Sequence, residues 1–164
     1  MKIQPIAQSE FEQMDGVRQV IVHNYARKYA DLDLGKPFGH YGISWNSSAL
    51  DPIVVFSDAT NTIWIGVDRQ VAAICLQSGR ILVSMPFTIN IVSILAMGQV
   101  TAVLTEEEIL LFNPGGSLRF SGDLPDQATG LSMVGNALVI NMLEGSSLRI
   151  DPMLGTFIKE PIAV

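Results

Sequence analysis

Residues 61–67 (NTIWIGV), 99–105 (QVTAVLT) and 136–142 (NALVINM) each place a polar residue ahead of a strand-like run, and they recur about 38 residues apart. A second set of landmarks keeps step with them. Residues 74–81 (ICLQSGRI), 111–118 (LFNPGGSL) and 149–157 (RIDPMLGTF) each run from an apolar residue through an amide or acid and a Pro, Ser or Gly to an apolar restart. Pro86, Pro125 and Pro161 close the three units, which span about 52–89, 90–127 and 128–164. A period of this length marks stacked supersecondary units, so it sets the architecture before any single residue does.

Each unit resolves into four short strands. The first gives 53–58, 62–67, 71–77 and 80–85; the second 90–96, 100–105, 108–112 and 117–121; the third 128–133, 137–142, 147–150 and 156–160. Turn residues part them at Asp58 to Asn61, Asp68–Arg69, Ser78–Gly79, Pro114–Gly115–Gly116 and Glu144–Gly145. Even spacing with a turn signal every eight to twelve residues predicts a mainly β protein of antiparallel sheets. Ahead of the repeats, residues 1–51 read as a separate segment. Residues 8–30 carry a helical pattern, with Ser9 and Glu12 spaced as a capping box and Phe11, Met14, Val17, Val20 and Ile21 on one stripe. Residues 31–51 form a connector rich in Gly, Pro, Asn and Ser, with one short aromatic strand from Phe38 to Trp45. The expectation is one N-terminal helix and its connector packing on three β repeats.

A unit of four strands with a Leu-Gln-Ser-Gly (76–79), Phe-Asn-Pro-Gly-Gly (112–116) or Ile-Asp-Pro-Met-Leu-Gly (150–155) turn resembles a quinoprotein-like, PQQ-type β-propeller blade. The resemblance covers residues 52–164 and speaks to fold alone. Quinoprotein blades usually dock a Trp near the end of each repeat, and neither Trp45 nor Trp64 stands there, so neither the quinone nor its calcium carries over. The expected cofactor is none. Closed propellers need four to eight blades, and three cannot close alone. Two copies could complete a ring, the expected oligomer being a dimer, or the helix could cover the raw end of an open fan. A three-sheet prism is a further arrangement that the pattern allows.

The chain of 164 residues is 48% hydrophobic and 16% charged, which excludes disorder. Its net charge of -6 sits on the repeats, because the first 36 residues hold five acids and five bases. An acidic surface repels phosphate backbones and excludes nucleic acid as the expected partner; a basic protein fits better. The start of the chain has no basic-then-apolar leader and no run approaches a membrane span, so the expected address is cytoplasmic. Cys75 is the only cysteine, which rules out an intrachain disulfide and a Cys-based metal site, and its apolar run reads as a buried, inert position.

Candidate site residues follow from the charge pattern. Glu106, Glu107 and Glu108 form the one dense charge run, at a turn of the middle repeat. Asp58 and Asp68 flank the matching region of the first repeat, and Glu144 occupies the turn of the third. In a propeller-like stack these carboxylates would share one rim, where they would speed association with a basic partner more than they would tighten it. His23 lies near the helical stripe and reads as a packed histidine. His40, with Tyr41 and Trp45 beside it, sits in the connector, a loop position that suits function. Two histidines in no ligand spacing give no metal signal. The residues 114–117 loop lacks the following helix that a phosphate loop needs. Arg80, Arg119 and Arg149 read as solubility or pairing residues. These features point to a non-enzymatic protein-interaction module, an inhibitor or immunity-type protein being one form of it. The alternatives are a homo-oligomeric assembly unit, and a small-ligand binder or enzyme built on His40, Tyr41 and Trp45.

Overall fold

The computed structural model describes residues 1–158. The repeats fold into three antiparallel four-stranded sheets: β5 to β8 (Ile53–Ser57, Thr62–Val67, Gln70–Cys75, Ile81–Pro86), β9 to β12 (Ile91–Met97, Val100–Thr105, Glu108–Phe112, Leu118–Asp123) and β13 to β16 (Ala128–Val134, Ala137–Met142, Ser147–Asp151, Thr156–Ile158). Every strand expected from the sequence is present to within two residues; positions 159 and 160 of the last, and Pro161, lie outside the described residues. β6 and β10 are buried at every position, since each is sandwiched between two neighbouring sheets. Their sequences accordingly read as continuous apolar runs rather than as an alternation.

The N-terminal segment departs from the expected long helix. Helix α1 spans only Gln8–Glu12, is capped at Ala7 rather than Ser9, and uses Glu10, whose Oε1 accepts from the Ala7 N–H at 3.3 Å. A short 3-10 turn at Gly16–Arg18 follows, with Asp15 Oδ1 accepting from the Val17 N–H. The chain then forms β1 (Lys2–Pro5), β2 (Gln19–Ile21), β3 (Lys28–Asp33) and β4 (His40–Trp45), a fourth sheet in the order β1-β3-β4-β2 with β2 parallel to β4. The reason lies in the β-branched run Val20–Ile21–Val22, which suits a pleated surface better than a helix. As a strand, Val20 and Ile21 are both buried.

The four sheets stack face to face in chain order and do not close. The first packs on the second through Leu32, Tyr41 and Ile43 against Ile63, Ile65 and Ile74. The second meets the third through Trp64, whose ring lies 5.1 Å from that of Phe112. Leu104, Ile109 and Leu111 then pack on Leu138, Ile140 and Ile150 of the fourth. Helix α1 covers the outward face of the first sheet. Phe11 lies 5.3 Å from Tyr29, and a Cβ at Gly42 would come within 2.7 Å of Met14 Sδ, so the helix sits against bare backbone there. Among the described residues, no helix is long and apolar enough to cross a membrane.

Candidate functional site

Chain direction assigns the turns to two rims. The β6–β7, β10–β11 and β14–β15 turns share one rim with the connectors that pass from sheet to sheet. The backbone bonds them together: Phe87 and Ile91 donate to Arg69 and Asp68 carbonyls (2.6 and 2.7 Å), Leu124 and Ala128 to Glu107 and Glu106 (both 2.8 Å), and Leu143 to Gln127 (2.9 Å). This corner of turn plus connector recurs at the second–third and third–fourth sheet junctions, a backbone frame that holds the turns which present side chains.

At the third and fourth sheets the rim is acidic. Glu106, Glu107, Asp123 and Asp126 line one groove of about 430 Å³ together with Leu124 and Pro125. Thr105 Oγ1 accepts from the N–H groups of Glu107 and Glu108 (3.3 and 3.0 Å) and so fixes the turn. The Glu144 N–H donates to Asp126 Oδ2 at 3.3 Å, joining the next turn to the connector, while Ser146 Oγ donates to Glu144. Glu108 stands directly opposite Asp123 in the β11–β12 register. Like charges facing across a ladder destabilise it by roughly 0.2–1 kcal/mol. Among the described residues, none of these six carboxylates forms an ion pair. Arg119 is committed to the far rim, where it bonds Asn113 Oδ1 (2.8 Å) and the Pro152 and Met153 carbonyls.

Two of the carboxylates expected on this rim do other things. Asp58 belongs to the β5–β6 turn and so lies on the opposite rim. Asp68 is on the acidic rim's side, but its Oδ2 accepts from the N–H groups of Asn46 and Ser47 (2.8 and 3.1 Å), holding the connector that leaves the first sheet. In their place stand Asp123 and Asp126, which flank Pro125. The signal for them was available: Pro125 closes a repeat, and closing segments must return to the rim from which the next innermost strand starts.

The connector trio does not form one site. His40 points to the outward face of the first sheet, where its Nδ1 meets Asp31 Oδ2 at 2.7 Å. Tyr41 and Trp45 face the second sheet. The Tyr41 hydroxyl donates to the Gly79 carbonyl (2.9 Å) and Trp45 Nε1 to the Leu50 carbonyl (3.0 Å), at opposite ends of β4. His23 accepts from the Tyr25 N–H at 3.0 Å through Nδ1, a turn-forming role. Cys75 is half-buried rather than enclosed, and a hydrogen bond from Ser78 lowers its pKa below the ordinary thiol value. Among the described residues, no cluster of three or more His, Cys, Asp or Glu side chains could hold a metal ion.

A stack of four-stranded sheets, three of them wholly antiparallel and laid down innermost strand first, defines the class: a propeller-like β fold. Solved structures agree. The chain is similar to Sqt1 of Saccharomyces cerevisiae (18% identity over 65% of this chain and 34% of that one, TM-score 0.55) and to the Pan2 WD40 domain of Neurospora crassa (14%, 65% and 36%, TM-score 0.52). It is also similar to the computationally designed Ika4 protein, at 13% identity over 80% of this chain and 82% of that one, with a TM-score of 0.58. The chain therefore spans about a third of the two natural proteins and most of the designed one. At these identities the likeness is one of fold, and it does not single out the quinoprotein type among propellers. No family model and no curated protein sequence matches the chain.

Proposed function

We propose that the protein is an interaction scaffold whose acidic rim, over the third and fourth sheets, receives a basic protein segment. The observation that carries this reading is the segregation of charge. Of the seven acids between residues 90 and 158, six (Glu106, Glu107, Glu108, Asp123, Asp126 and Glu144) fall on one rim, and only Asp151 lies elsewhere. Solubility alone needs charge, but not charge collected around one groove with two carboxylates face to face. A rim of this kind steers an oppositely charged partner and raises its association rate, with salt screening the effect over about 10 Å. WD40-type neighbours of the same fold support a scaffold role, and an occluding inhibitor or immunity-type protein is the form that the acidity suits.

The test uses a lysine- and arginine-rich peptide as a probe, with association measured by stopped flow between low and moderate salt. The wild-type rate is expected to fall steeply as salt rises. The triple variant Glu106→Gln, Glu107→Gln, Asp126→Asn is expected to associate about tenfold more slowly at low salt and to lose most of that salt dependence. A variant with the wild-type rate and salt slope would remove the rim from the account.

A further inference from the structure

On the opposite rim, between the first and second sheets, lies a cleft of about 550 Å³ whose charged lining is Arg18 and Arg80. No carboxylate lines it, in a chain with 16 acids and 10 bases. Arg18 is held in position twice: its guanidinium donates to the Phe38 carbonyl, and its Cζ lies 4.7 Å from the centre of the Tyr41 ring. Tyr41 in turn bonds the Gly79 carbonyl, which fixes the turn carrying Arg80. Gly79 has φ of 74° and a Cβ there would sit 3.3 Å from the Tyr41 hydroxyl, so this turn is fitted closely to the first sheet. Gln77 and Ser78 add polar groups to the same wall. Among the described residues, neither arginine is ion-paired with a carboxylate. The nearby acids Asp31 and Asp33 lie on the other face of the first sheet, where Asp31 is taken up by His40.

We propose that this cleft binds a phosphate monoester. A guanidinium presents five N–H donors in a planar fork that matches phosphate oxygens, and Arg18 spends one of them on Phe38. Two guanidinium charges balance a phosphate monoester, which carries roughly -1.5 to -2 at neutral pH, whereas a single carboxylate would leave one of them unmatched. The volume exceeds that of phosphate alone and lies in the range of small-ligand sites, leaving room for the esterified group against Phe38 and Ile81. The site is independent of the acidic rim, being on other sheets and at the other end of the strands.

Calorimetric titration of the whole chain tests this at neutral pH and matched ionic strength, with inorganic phosphate, ribose 5-phosphate, a phosphoserine peptide, and the last two without phosphate. The phosphorylated probes are expected to bind saturably and their unphosphorylated forms not to bind. Arg80→Gln, at an exposed turn, is expected to weaken binding by at least about tenfold. Arg18→Gln should do the same, with circular dichroism checking that the sheet contact through Tyr41 survives. Preference for ribose 5-phosphate would assign a small metabolite, preference for the peptide a modified protein, and equal affinity the phosphate group itself. No saturable binding up to about 10 mM, or wild-type affinity in Arg80→Gln, would overturn the proposal.

Discussion

At the scale of single residues, the pair formed by His40 and Asp31 makes a pH-dependent contribution to stability. Asp31 is 7% exposed, with Oδ2 on His40 and Oδ1 without a partner, so its buried charge depends on the imidazole. The hydrogen bond that His40 Nδ1–H donates to Asp31 raises the His40 pKa above its ordinary 6.5; the Asp31 and Asp33 charges add to this, while desolvation and Arg18 oppose it. A raised folded-state pKa means that the stabilisation is complete below pH 6.5 and is lost as pH climbs through the folded value. Urea midpoints should therefore fall across the interval just above pH 6.5, and His40→Gln should flatten that fall. An unchanged slope in the variant would show that the pair is not responsible. The sequence placed His40 in a functional loop because glycines surround it. Its partner nine residues upstream became visible only once β3 and β4 were paired.

At the scale of elements, the repeats were legible and the first sheet was not. Strands of the second to fourth sheets are joined by tight turns to their neighbours, so each pairing is local, and every one of these turns except Glu106–Glu107 announces itself through Gly, Asn or Asp. The first sheet pairs β1 with β3 and β2 with β4, across intervening chain, and one of those pairings is parallel. Nothing in the local pattern of residues 19–21 encodes a partner 22 positions on. The same Val20–Ile21 pair satisfies a helical stripe and a strand equally well. The acidic rim was half legible for a similar reason: Glu106 to Glu108 and Glu144 sit at turns that the repeat aligned, whereas Asp123 ends β12 and Asp126 lies on the connector, with the closing Pro125 as the one sequence signal that they return to the same rim. Two substitutions probe these elements. Phe11→Ala removes the buried anchor of α1 on Tyr29 and should cost about 3 kcal/mol in urea unfolding. Gly66→Ala would bring a Cβ to 2.9 Å from Ile94 Cδ1 in the seam of the second and third sheets, and should cost about 1 kcal/mol or more. A neutral result at either position would contradict the packing described.

At the scale of the whole molecule, the question raised by the repeats is what covers the ends of an open stack. The sequence supplied three units and the structure supplies a fourth sheet from residues 1–45, with α1 laid over its outward face. At the other end, Leu138, Ile140 and Ile150 turn towards the third sheet, so the alternating positions face out. Among the described residues these are Ser132, Asn141, Ser147, Arg149, Asp151 and Thr156 together with the apolar Val134, Ala137, Val139 and Ile158, of which Val134 and Ile158 are exposed. The first end is covered by α1 within the chain, and we propose that ring completion by a second copy, the arrangement three bare units would need, is not required. Light scattering across a wide dilution series tests this most directly. The account predicts the monomer mass of 17.8 kDa at every concentration. A mass of twice that value, holding on dilution and lost only when Phe11 or Gly42 is altered, would show that the outward face of the first sheet is an interface and contradict the account.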